Sequence, residues 1–220
     1  MIRKILEKTC RVKQFIIKKY ITREGERQIS RDLLGIRNDH KGRYHLAVRY
    51  IQKGDLVLDC ACGIGYGSAI ISANCQCSEI TAIDKDSSAI KYALRSYNNA
   101  KVRYVKSDLF LINLPENYFN VVVSFETIEH VDGRAALEYF YKRLKNGGLL
   151  IASTPNEERM RFNKYDFPFH VHHYTPVEFQ GIIEHSGFKL LHKFTQFDMN
   201  KEDMSDGWDG LFNIAVAVKK

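Results

Sequence analysis

The segment Val57-Leu58-Asp59-Cys60-Ala61-Cys62-Gly63-Ile64-Gly65-Tyr66-Gly67 decides the fold of this chain. Its first residues are mostly apolar, as in a strand that helices cover on both faces. Glycines then follow at alternate positions, which frees the backbone and lets a ligand approach the main chain. Residues 68–73 (Ser-Ala-Ile-Ile-Ser-Ala) continue as the start of a helix. A strand, a glycine turn and a helix N-terminus together are typical of a nucleotide-binding corner.

Acidic residues around this corner indicate which nucleotide it binds. The glycine spacing is neither the GxGxxG of dinucleotide enzymes nor the phosphate-binding loop of triphosphate enzymes. Asp59 precedes the glycines, and Asp84 ends a second strand, where a carboxylate suits a ribose with two free hydroxyls. Asp108 ends a third strand and is able to accept a hydrogen bond from an adenine amino group.

This series of motifs resembles the class I, Rossmann-like S-adenosylmethionine-dependent methyltransferases over about residues 54–155. In that family the glycine turn holds the methionine end of the cofactor, the strand-two acid the ribose and the strand-three acid the adenine. The resemblance implies an α/β, doubly wound fold: a mostly parallel seven-stranded sheet, an antiparallel last strand and an N-terminal helical extension. A dehydrogenase-like domain is the alternative. The cofactor residues that the resemblance implies are Asp59, Ala61, Gly63, Gly65, Asp84, Lys85, Ser107, Asp108, Leu109, Phe125 and Glu126.

Three further segments indicate which group of methyltransferases this chain resembles. Gly-Glu-Arg at 25–27, Asp-His-Lys-Gly-Arg-Tyr at 39–44 and Gly-Tyr-Gly-Ser-Ala at 65–69 are similar to bacterial methyltransferases of cell-surface glycan (O-antigen and capsule) biosynthesis. This chain departs from them at positions 39 and 42, where Glu and often His are expected. Because an N-terminal segment covers the cofactor in such enzymes, Arg27 and Arg43 become candidates to pair with the cofactor carboxylate. An ordinary surface ion pair is an equal alternative for Arg43.

The chain divides into a basic amphipathic extension, residues 1–38, and a methyltransferase domain, residues 39–220. Residues 1–31 hold ten Lys or Arg against three Glu, which is the whole net charge of +7. Residues 2–20 carry apolar side chains at helical spacing. We expect this helix to pack on the domain or on a second subunit as a homodimer, or to lie on an anionic membrane. A nucleic-acid arm is disfavoured, because no aromatic platform accompanies it.

Composition places the protein in the cytoplasm, with the inner face of the cytoplasmic membrane as the alternative location. No run of about 18 apolar residues is present, and the N-terminus lacks the apolar stretch of a signal peptide. Five cysteines, an odd number, favour free thiols. The pairs Cys60-x-Cys62 and Cys75-x-Cys77 lack the usual spacing of zinc ligands, so we interpret Cys60 and Cys62 as small buried residues.

Beyond the cofactor motifs, the pattern predicts helices over 39–51, 87–98 (with Ser87 as its N-cap), 133–144 and 175–186, the last capped by Thr175. Asn146-Gly147-Gly148 reads as a helix stop. Residues 156–175 form a long loop, which in a compact domain is usually functional. The remaining strands are expected over 102–106, 119–125, 149–153, 188–194 and 212–218.

A histidine cluster is the candidate catalytic group. Methyl transfer requires alignment of the reacting atoms and, for a hydroxyl acceptor, removal of its proton. Histidine is suited to accept it, and His130, His170, His172 and His173 are all expected near the cofactor edge. We favour His170 or His172 over His173, because the alternation of His with other residues places these two on one side.

Glu126, Glu129 and His130 form an ExxEH motif. Similar motifs bind a divalent metal in small-RNA 3′-end ribose methyltransferases and occur in ubiquinone-pathway O-methyltransferases. With His170 or His172, two carboxylates and two imidazoles would suit magnesium, manganese or zinc. Many methyltransferases carry the motif without metal, Glu126 then lining the methionine pocket and His130 the substrate side. Glu129 is a candidate both as a catalytic residue and as a metal ligand.

Taken together, these features predict an S-adenosylmethionine-dependent O-methyltransferase. The expected acceptor is a sugar hydroxyl in bacterial surface polysaccharide or lipopolysaccharide biosynthesis, on a glycan that is lipid-linked or free. The alternatives are an RNA ribose 2′-O-methyltransferase, a small-molecule (quinone-type) O-methyltransferase and a binding module without catalysis. The intact cofactor motifs disfavour the last of these.

Overall fold

The computed structural model describes Ser30 and residues 33–220. Residues 1–29, 31 and 32 of the predicted extension 1–38, Arg27 among them, therefore lie outside the described residues. The part that is described begins with a 3-10 turn, Leu33–Gly35, followed by helix α1, Asn38–Val48. No described helix is both long and apolar enough to cross a bilayer.

An eight-stranded sheet forms the centre of the described residues, in the spatial order β3-β2-β1-β4-β5-β8-β6-β7. Strands β1 to β5 are parallel, whereas β8 runs antiparallel to both of its neighbours, β5 and β6. This order confirms the doubly wound, mostly parallel sheet with antiparallel last strands. The strands are β1 (Leu56–Cys60), β2 (Glu79–Asp84), β3 (Val102–Lys106), β4 (Phe119–Phe125), β5 (Leu144–Pro155), β6 (Phe188–Gln196), β7 (Ser205–Asp206) and β8 (Phe212–Lys219).

Strand number is where the observed sheet departs from the predicted one. Seven strands were expected, and the eighth is β7, a two-residue strand that pairs only with β6. So short an element produces no alternation of apolar and polar residues, and the sequence pattern therefore does not reveal it.

Four helices follow α1, and two of their ends differ from the prediction. Asp86 rather than Ser87 caps α3, because its carboxylate accepts a hydrogen bond from the Ser88 amide at 2.7 Å. Residues 146–148 do not end a helix; they lie within β5, since the backbone is already extended at Leu144. Thr175 caps α5 in a capping box, as predicted. The helices are α2 (Tyr66–Asn74), α3 (Ser87–Ser96), α4 (Gly133–Arg143) and α5 (Pro176–His185).

Apolar side chains cover both faces of the sheet. Val57 packs in one buried cluster and its neighbour Leu58 in the other, because successive side chains of a strand point to opposite faces. Helices α1 to α3 contribute to the first cluster, and α4 and α5 to the second. Cys60 and Cys62 are buried free thiols, as predicted. With both faces covered, the carboxyl ends of the strands are left to form a site.

Candidate active site

A cavity of about 440 Å³ opens where β1, β2, β3 and β4 end. The glycine turn, the end of β2 and the segment after β3 form one part of its wall. The segment after β4 and the loop 156–175 form another. The structure brings together twelve of the predicted site residues along this wall: Ala61, Gly63, Asp84, Lys85, Ser107, Asp108, Leu109, Phe125, Glu126, Glu129, His130 and His170.

The glycine turn is held by Asp84. One carboxylate oxygen, Oδ2, accepts a hydrogen bond from the Gly63 amide at 2.9 Å, and Oδ1 accepts one from the Asp86 amide at 2.8 Å. A carboxylate oxygen has two lone pairs, so a hydrogen bond from an amide does not by itself prevent it from accepting one from a ribose. Asp108 accepts from the Phe110 amide at 2.9 Å and lines the neighbouring wall.

Gly65 and Asp59 support the turn from behind and do not line the cavity. Gly65 has a φ of 87°, and a Cβ there would lie 2.7 Å from the Tyr104 hydroxyl. Asp59 is fully buried and accepts hydrogen bonds from Ser68 at 2.6 Å and Tyr44 at 3.2 Å. Burial raises the pKa of Asp59 to about 7. Both residues therefore stabilise the glycine turn from outside the cavity, whereas the sequence predicted that they contact the cofactor directly.

Arg43 also differs from its predicted place. Its side chain is buried, 3.1 Å from an oxygen of Asp39 and 3.0 Å from Gln196, with Glu126 at 4.0 Å. It lies behind the cavity wall, because Asp39 on the same helix and Gln196 on β6 accept its hydrogen bonds and Glu126 lies close by. Arg27, the other predicted partner of the cofactor carboxylate, lies outside the described residues.

Arg37 and His40 line the cavity and were not predicted. Arg37 precedes α1 and donates through Nε to Asp39 at 2.9 Å. His40 Nδ1 lies 2.8 Å from the Tyr66 hydroxyl, and burial lowers the pKa of His40 to about 3, so its ring is neutral. Their place in the sequence could have predicted this, because both residues lie at the start of the helix that carries the Asp-His-x-x-Arg-Tyr motif.

Glu126 follows β4 with a φ of 50°, in the left-handed region. Its Oε1 accepts a hydrogen bond from Ser153 Oγ at 2.6 Å. Burial raises the pKa of Glu126, and the nearby Arg43 opposes that shift. One oxygen of this carboxylate is therefore bonded within the protein, and Glu126 is not among the group of ligand atoms described next.

Glu129, His130 and His170 offer ligand atoms that all lie within 4.8 Å of one another. Glu129 is buried; its Oε2 accepts from Thr154 at 3.4 Å, and its Oε1 has no hydrogen bond within the described part of the chain. His130 Nε2 lies 4.0 Å from that oxygen. Burial, with the charge of Glu126, raises the pKa of Glu129 well above its usual range.

The loop histidines are arranged differently from the prediction. His170 and His173 are buried together, with His170 Nδ1 2.6 Å from His173 Nε2. His172 is exposed and lies 3.8 Å from Glu178, outside the cavity. The expected alternation fails because the backbone turns at this point, where the amides of Val171 and His172 both donate to the Glu129 carbonyl. Burial lowers the pKa of His170 to about 3.

Comparison with known proteins finds methyltransferases that are similar to part of this chain. A family model described as "Methyltransferase domain" matches residues 58–152. A probable S-adenosylmethionine-dependent methyltransferase of Mycobacterium tuberculosis is 31% identical over 60% of this chain and 48% of its own. Phosphoethanolamine N-methyltransferase 3 of Arabidopsis thaliana is 34% identical over 46% of this chain and 21% of its own. The chain thus spans about half the length, or less, of these curated relatives.

Solved structures share the fold. A TehB-like S-adenosylmethionine-dependent methyltransferase from Corynebacterium glutamicum superposes with a TM-score of 0.63 at 22% identity, covering 81% of this chain and 88% of that one. The N-methyltransferase NodS from Bradyrhizobium japonicum, in complex with S-adenosyl-L-homocysteine, gives 0.63 at 18% identity, covering 82% and 85%.

The sheet order defines a doubly wound, Rossmann-like fold, with its cavity at the strand ends, where such folds bind their ligands. More particularly, residues 58–152 match a methyltransferase domain, and the chain is similar to S-adenosylmethionine-dependent methyltransferases and to an N-methyltransferase solved with S-adenosyl-L-homocysteine.

Proposed function

We propose that this protein transfers the methyl group of S-adenosylmethionine to a hydroxyl of an acceptor bound beside Glu129, His130 and His170. One observation carries the proposal: Glu129 Oε1 is buried in the cavity wall without a hydrogen bond among the described residues. Buried polar atoms nearly always have partners, so such an oxygen indicates a position that a ligand completes. It lies on the same cavity as the predicted cofactor residues.

The cofactor would occupy the part of the cavity formed by the strand ends. In this proposal Asp84 would bind the ribose, Asp108 the adenine and Arg37 the carboxylate, because all three residues line the cavity. When bound, S-adenosylmethionine supplies an electrophilic methyl group whose transfer leaves a neutral thioether. The protein's tasks are then to align the acceptor and to accept its proton.

Glu129 and His130 are the better candidates to accept that proton. The Phe169 carbonyl, 3.1 Å from His130 Nδ1, can only accept a hydrogen bond, so this contact places a proton on Nδ1 and fixes the ring in the cavity wall. The raised pKa of Glu129 makes its carboxylate more basic than an ordinary one. His170, with a pKa of about 3, is a weak base and a better ligand or hydrogen-bond acceptor.

The same three side chains fit a divalent metal. Two imidazoles and a carboxylate are ligands that zinc and manganese accept. His130 and His170 each engage Nδ1 in a hydrogen bond, as metal-bound histidines commonly do. A bound cation would act as a Lewis acid that lowers the pKa of an acceptor hydroxyl. Glu126, the fourth predicted ligand, is not part of this set of neighbouring ligand atoms, and its Oε1 accepts a hydrogen bond from Ser153.

A sugar hydroxyl in surface polysaccharide biosynthesis remains our proposed acceptor. The similarity of segments 25–27, 39–44 and 65–69 to glycan methyltransferases supports it. The cavity also presents the flat rings of Phe167, Phe169 and others, which suit the apolar face of a sugar. The same rings would accept a quinone-type phenol, which is the second candidate. The balanced charge of residues 32–220 gives less support to an RNA acceptor.

Transfer of a labelled methyl group would test the acceptor. The purified protein would be incubated with methyl-labelled S-adenosylmethionine and, in parallel, nucleotide-linked sugars, lipid-linked oligosaccharides, single-stranded RNA and a catechol. We expect label in an alkali-stable ether on a sugar. Label confined to RNA or to the catechol would replace the sugar acceptor, and label confined to amines would overturn hydroxyl transfer altogether. Exhaustive chelation followed by return of Mn²⁺ or Zn²⁺ would show whether metal takes part.

We also propose that residues 1–31 bring the protein to the cytoplasmic membrane surface, where a lipid-linked acceptor would reside. Their ten basic residues would each contribute about 1 kcal/mol near an anionic leaflet. Co-sedimentation with anionic vesicles should then occur at low salt and be lost at high salt or with neutral lipid. Failure to bind anionic vesicles at low salt would reject this location, and a dimer on size-exclusion chromatography would assign the segment to self-association.

A further inference from the structure

The loop between β6 and β7, residues 197–204, docks on the first turn of α1. The first amides of a helix have no partner within the helix, and within the described part of the chain the N-cap side chain of α1 does not bond to them. The Asp39 amide donates instead to the carbonyl oxygen of Met199 at 3.3 Å. The Asn38 side-chain amide donates to the carbonyl oxygen of Asn200, 162 residues further along, at 2.6 Å. A distant loop thus caps this helix.

Gly42 makes this close approach possible. It is buried in α1 against the main chain of Glu202. A Cβ at position 42 would lie 2.8 Å from the Cα of Glu202 and closer still to its carbonyl oxygen, so no side-chain rotation would relieve the contact. The Glu202 carboxylate adds an ion pair with Lys41 at 3.7 Å and a hydrogen bond with His45 Nδ1 at 2.6 Å. Position 42, where the resemblance often expects His, therefore has no room for a side chain while the loop is docked.

The turn on which the loop docks carries part of the cavity wall. Arg37 forms a bidentate pair with Asp39, through Nε at 2.9 Å and Nη2 at 2.5 Å. Asp39 is fully buried, and Gln196, the last residue of β6, donates to its carbonyl oxygen at 3.1 Å. Arg37 lines the cavity, and so does Met199 of the loop. Asp39 therefore connects the two, because its amide is bonded to the loop and its carboxylate to the guanidinium.

We propose that loop 197–204 positions Arg37 for the cofactor: by docking on α1 at Asp39 and Gly42, it holds the guanidinium where the carboxylate of S-adenosylmethionine would bind. The inference rests on the proposed function, which assigns that carboxylate to Arg37. It goes further because it gives a task to a loop that lies outside the matched family region, residues 58–152. The affinity for the cofactor then depends on a contact that none of the cofactor motifs contains.

The docked loop contributes by ordering Arg37 before the cofactor arrives. An arginine side chain loses much rotational freedom when it is immobilised, and this loss opposes binding if it occurs only at that moment. With the loop docked, the pair with Asp39 already holds the guanidinium in one orientation. The proposed function places the nucleoside of the cofactor on Asp84 and Asp108. Loss of docking should therefore weaken the hold on the amino-acid end alone.

Binding of two ligands separates this role from a general loss of structure. S-adenosylhomocysteine has the carboxylate, whereas 5′-methylthioadenosine has the same nucleoside and a thioether without the amino-acid end. Gly42→Ala would displace the loop, although Ala itself favours a helix more than Gly does. Gly181→Ala is the matched control, since Gly181 also lies within a helix, α5, and a Cβ there meets no described atom within 4 Å. Asn38→Ala, which removes the bond to Asn200, carries the test if Gly42→Ala does not fold.

Calorimetry should show S-adenosylhomocysteine binding about 10- to 100-fold more weakly to Gly42→Ala, with a smaller loss in Asn38→Ala. The affinity for methylthioadenosine should stay within about twofold of wild type in both variants, and Gly181→Ala should match wild type for both ligands. Thermal unfolding would show that each variant is folded. An equal loss for both ligands, or an unchanged affinity for S-adenosylhomocysteine in the folded variants, would overturn the proposal.

A double-mutant cycle separates this inference from the assignment on which it rests. Arg37→Gln should weaken S-adenosylhomocysteine binding to a similar extent, and Gly42→Ala should add little to it, because both changes act through one contact. Additive losses would overturn the positioning role alone. If Arg37→Gln binds as tightly as wild type, the carboxylate assignment is wrong and this inference fails with it. These measurements need no methyl transfer, so the identity of the acceptor does not affect them.

Discussion

The two halves of the cavity are built in different ways. The cofactor half consists of segments that directly follow β1, β2 and β3, and its carboxylates accept bonds from amides two residues further along, Asp84 from Asp86 and Asp108 from Phe110. The acceptor half forms where the loop 156–175 folds back on the turn at Ile128–His130. Its contacts join residues far apart in the chain, such as His130 and Phe169, 39 residues apart. The first half follows from local sequence, whereas the second depends on tertiary structure.

The halves also differ in how their hydrogen-bonding capacity is used. Asp84 and Asp108 both accept bonds from main-chain amides. Glu129 has an oxygen without a hydrogen bond among the described residues, beside two imidazoles. A fixed, satisfied carboxylate suits recognition of a constant cofactor, whereas an unsatisfied one suits a group whose charge changes during reaction. Variants that separate binding from turnover would test this division.

Glu129→Gln should have the largest effect. The amide keeps the shape of the side chain but cannot accept and release a proton as the carboxyl group does. We expect turnover to fall by roughly 10²–10⁴, with the affinity for S-adenosylhomocysteine unchanged in calorimetry. Glu138→Gln, an exposed site on α4, is the control. Unchanged turnover in Glu129→Gln would remove this residue from the chemistry.

Asp84→Ala should affect the cofactor half of the cavity. Loss of a charged acceptor for the ribose should weaken binding of S-adenosylhomocysteine by on the order of 1.5–3 kcal/mol, about 10- to 150-fold. Turnover at saturating cofactor should be affected far less. Asp86→Ala is the matched control, because it removes a helix cap outside the cavity. If Asp84→Ala binds as tightly as wild type, the ribose position is wrong.

Asp59→Asn should change how stability depends on pH. The pKa of Asp59 is about 7 in the folded protein and about 4 when unfolded, so between these values the folded state binds the extra proton. The free energy of unfolding contributed by Asp59 is therefore lost as pH rises from about 4 to 7. Urea unfolding at pH 5 and pH 8 should show the variant gaining stability relative to wild type at pH 8, by an amount on the order of 1 kcal/mol or more. A pH-independent difference would contradict the raised pKa.

His172→Ala should have the smallest effect. The side chain is exposed, pairs with Glu178 and lies outside the cavity. We expect turnover within about twofold of wild type, since surface ion pairs contribute little. A loss comparable to that of His170→Ala, measured in the same assay, would return His172 to the site and show that the loop rearranges on binding.

The contrast between the halves also explains what the sequence was able to predict. The glycine turn, Asp84 and Asp108 were predicted because strand ends and adjacent turns follow from local periodicity. The placement of Arg43 and of His173 was not, because it depends on side chains brought from distant elements, such as Gln196 for Arg43. The alternation argument for His172 assumed an extended backbone, and the loop turns at that point.

Two residues at strand ends bring stability and activity into competition. Ala61 and Glu126 have φ values of 56° and 50°, a conformation that glycine would adopt more easily. Both line the cavity, and the Glu126 carboxylate is bonded to Ser153 and faces Arg43. A laboratory selection for thermal stability alone would be expected to enrich glycine at these two positions. The selected proteins would then bind the cofactor with lower affinity. Libraries built on this scaffold should therefore hold both positions constant.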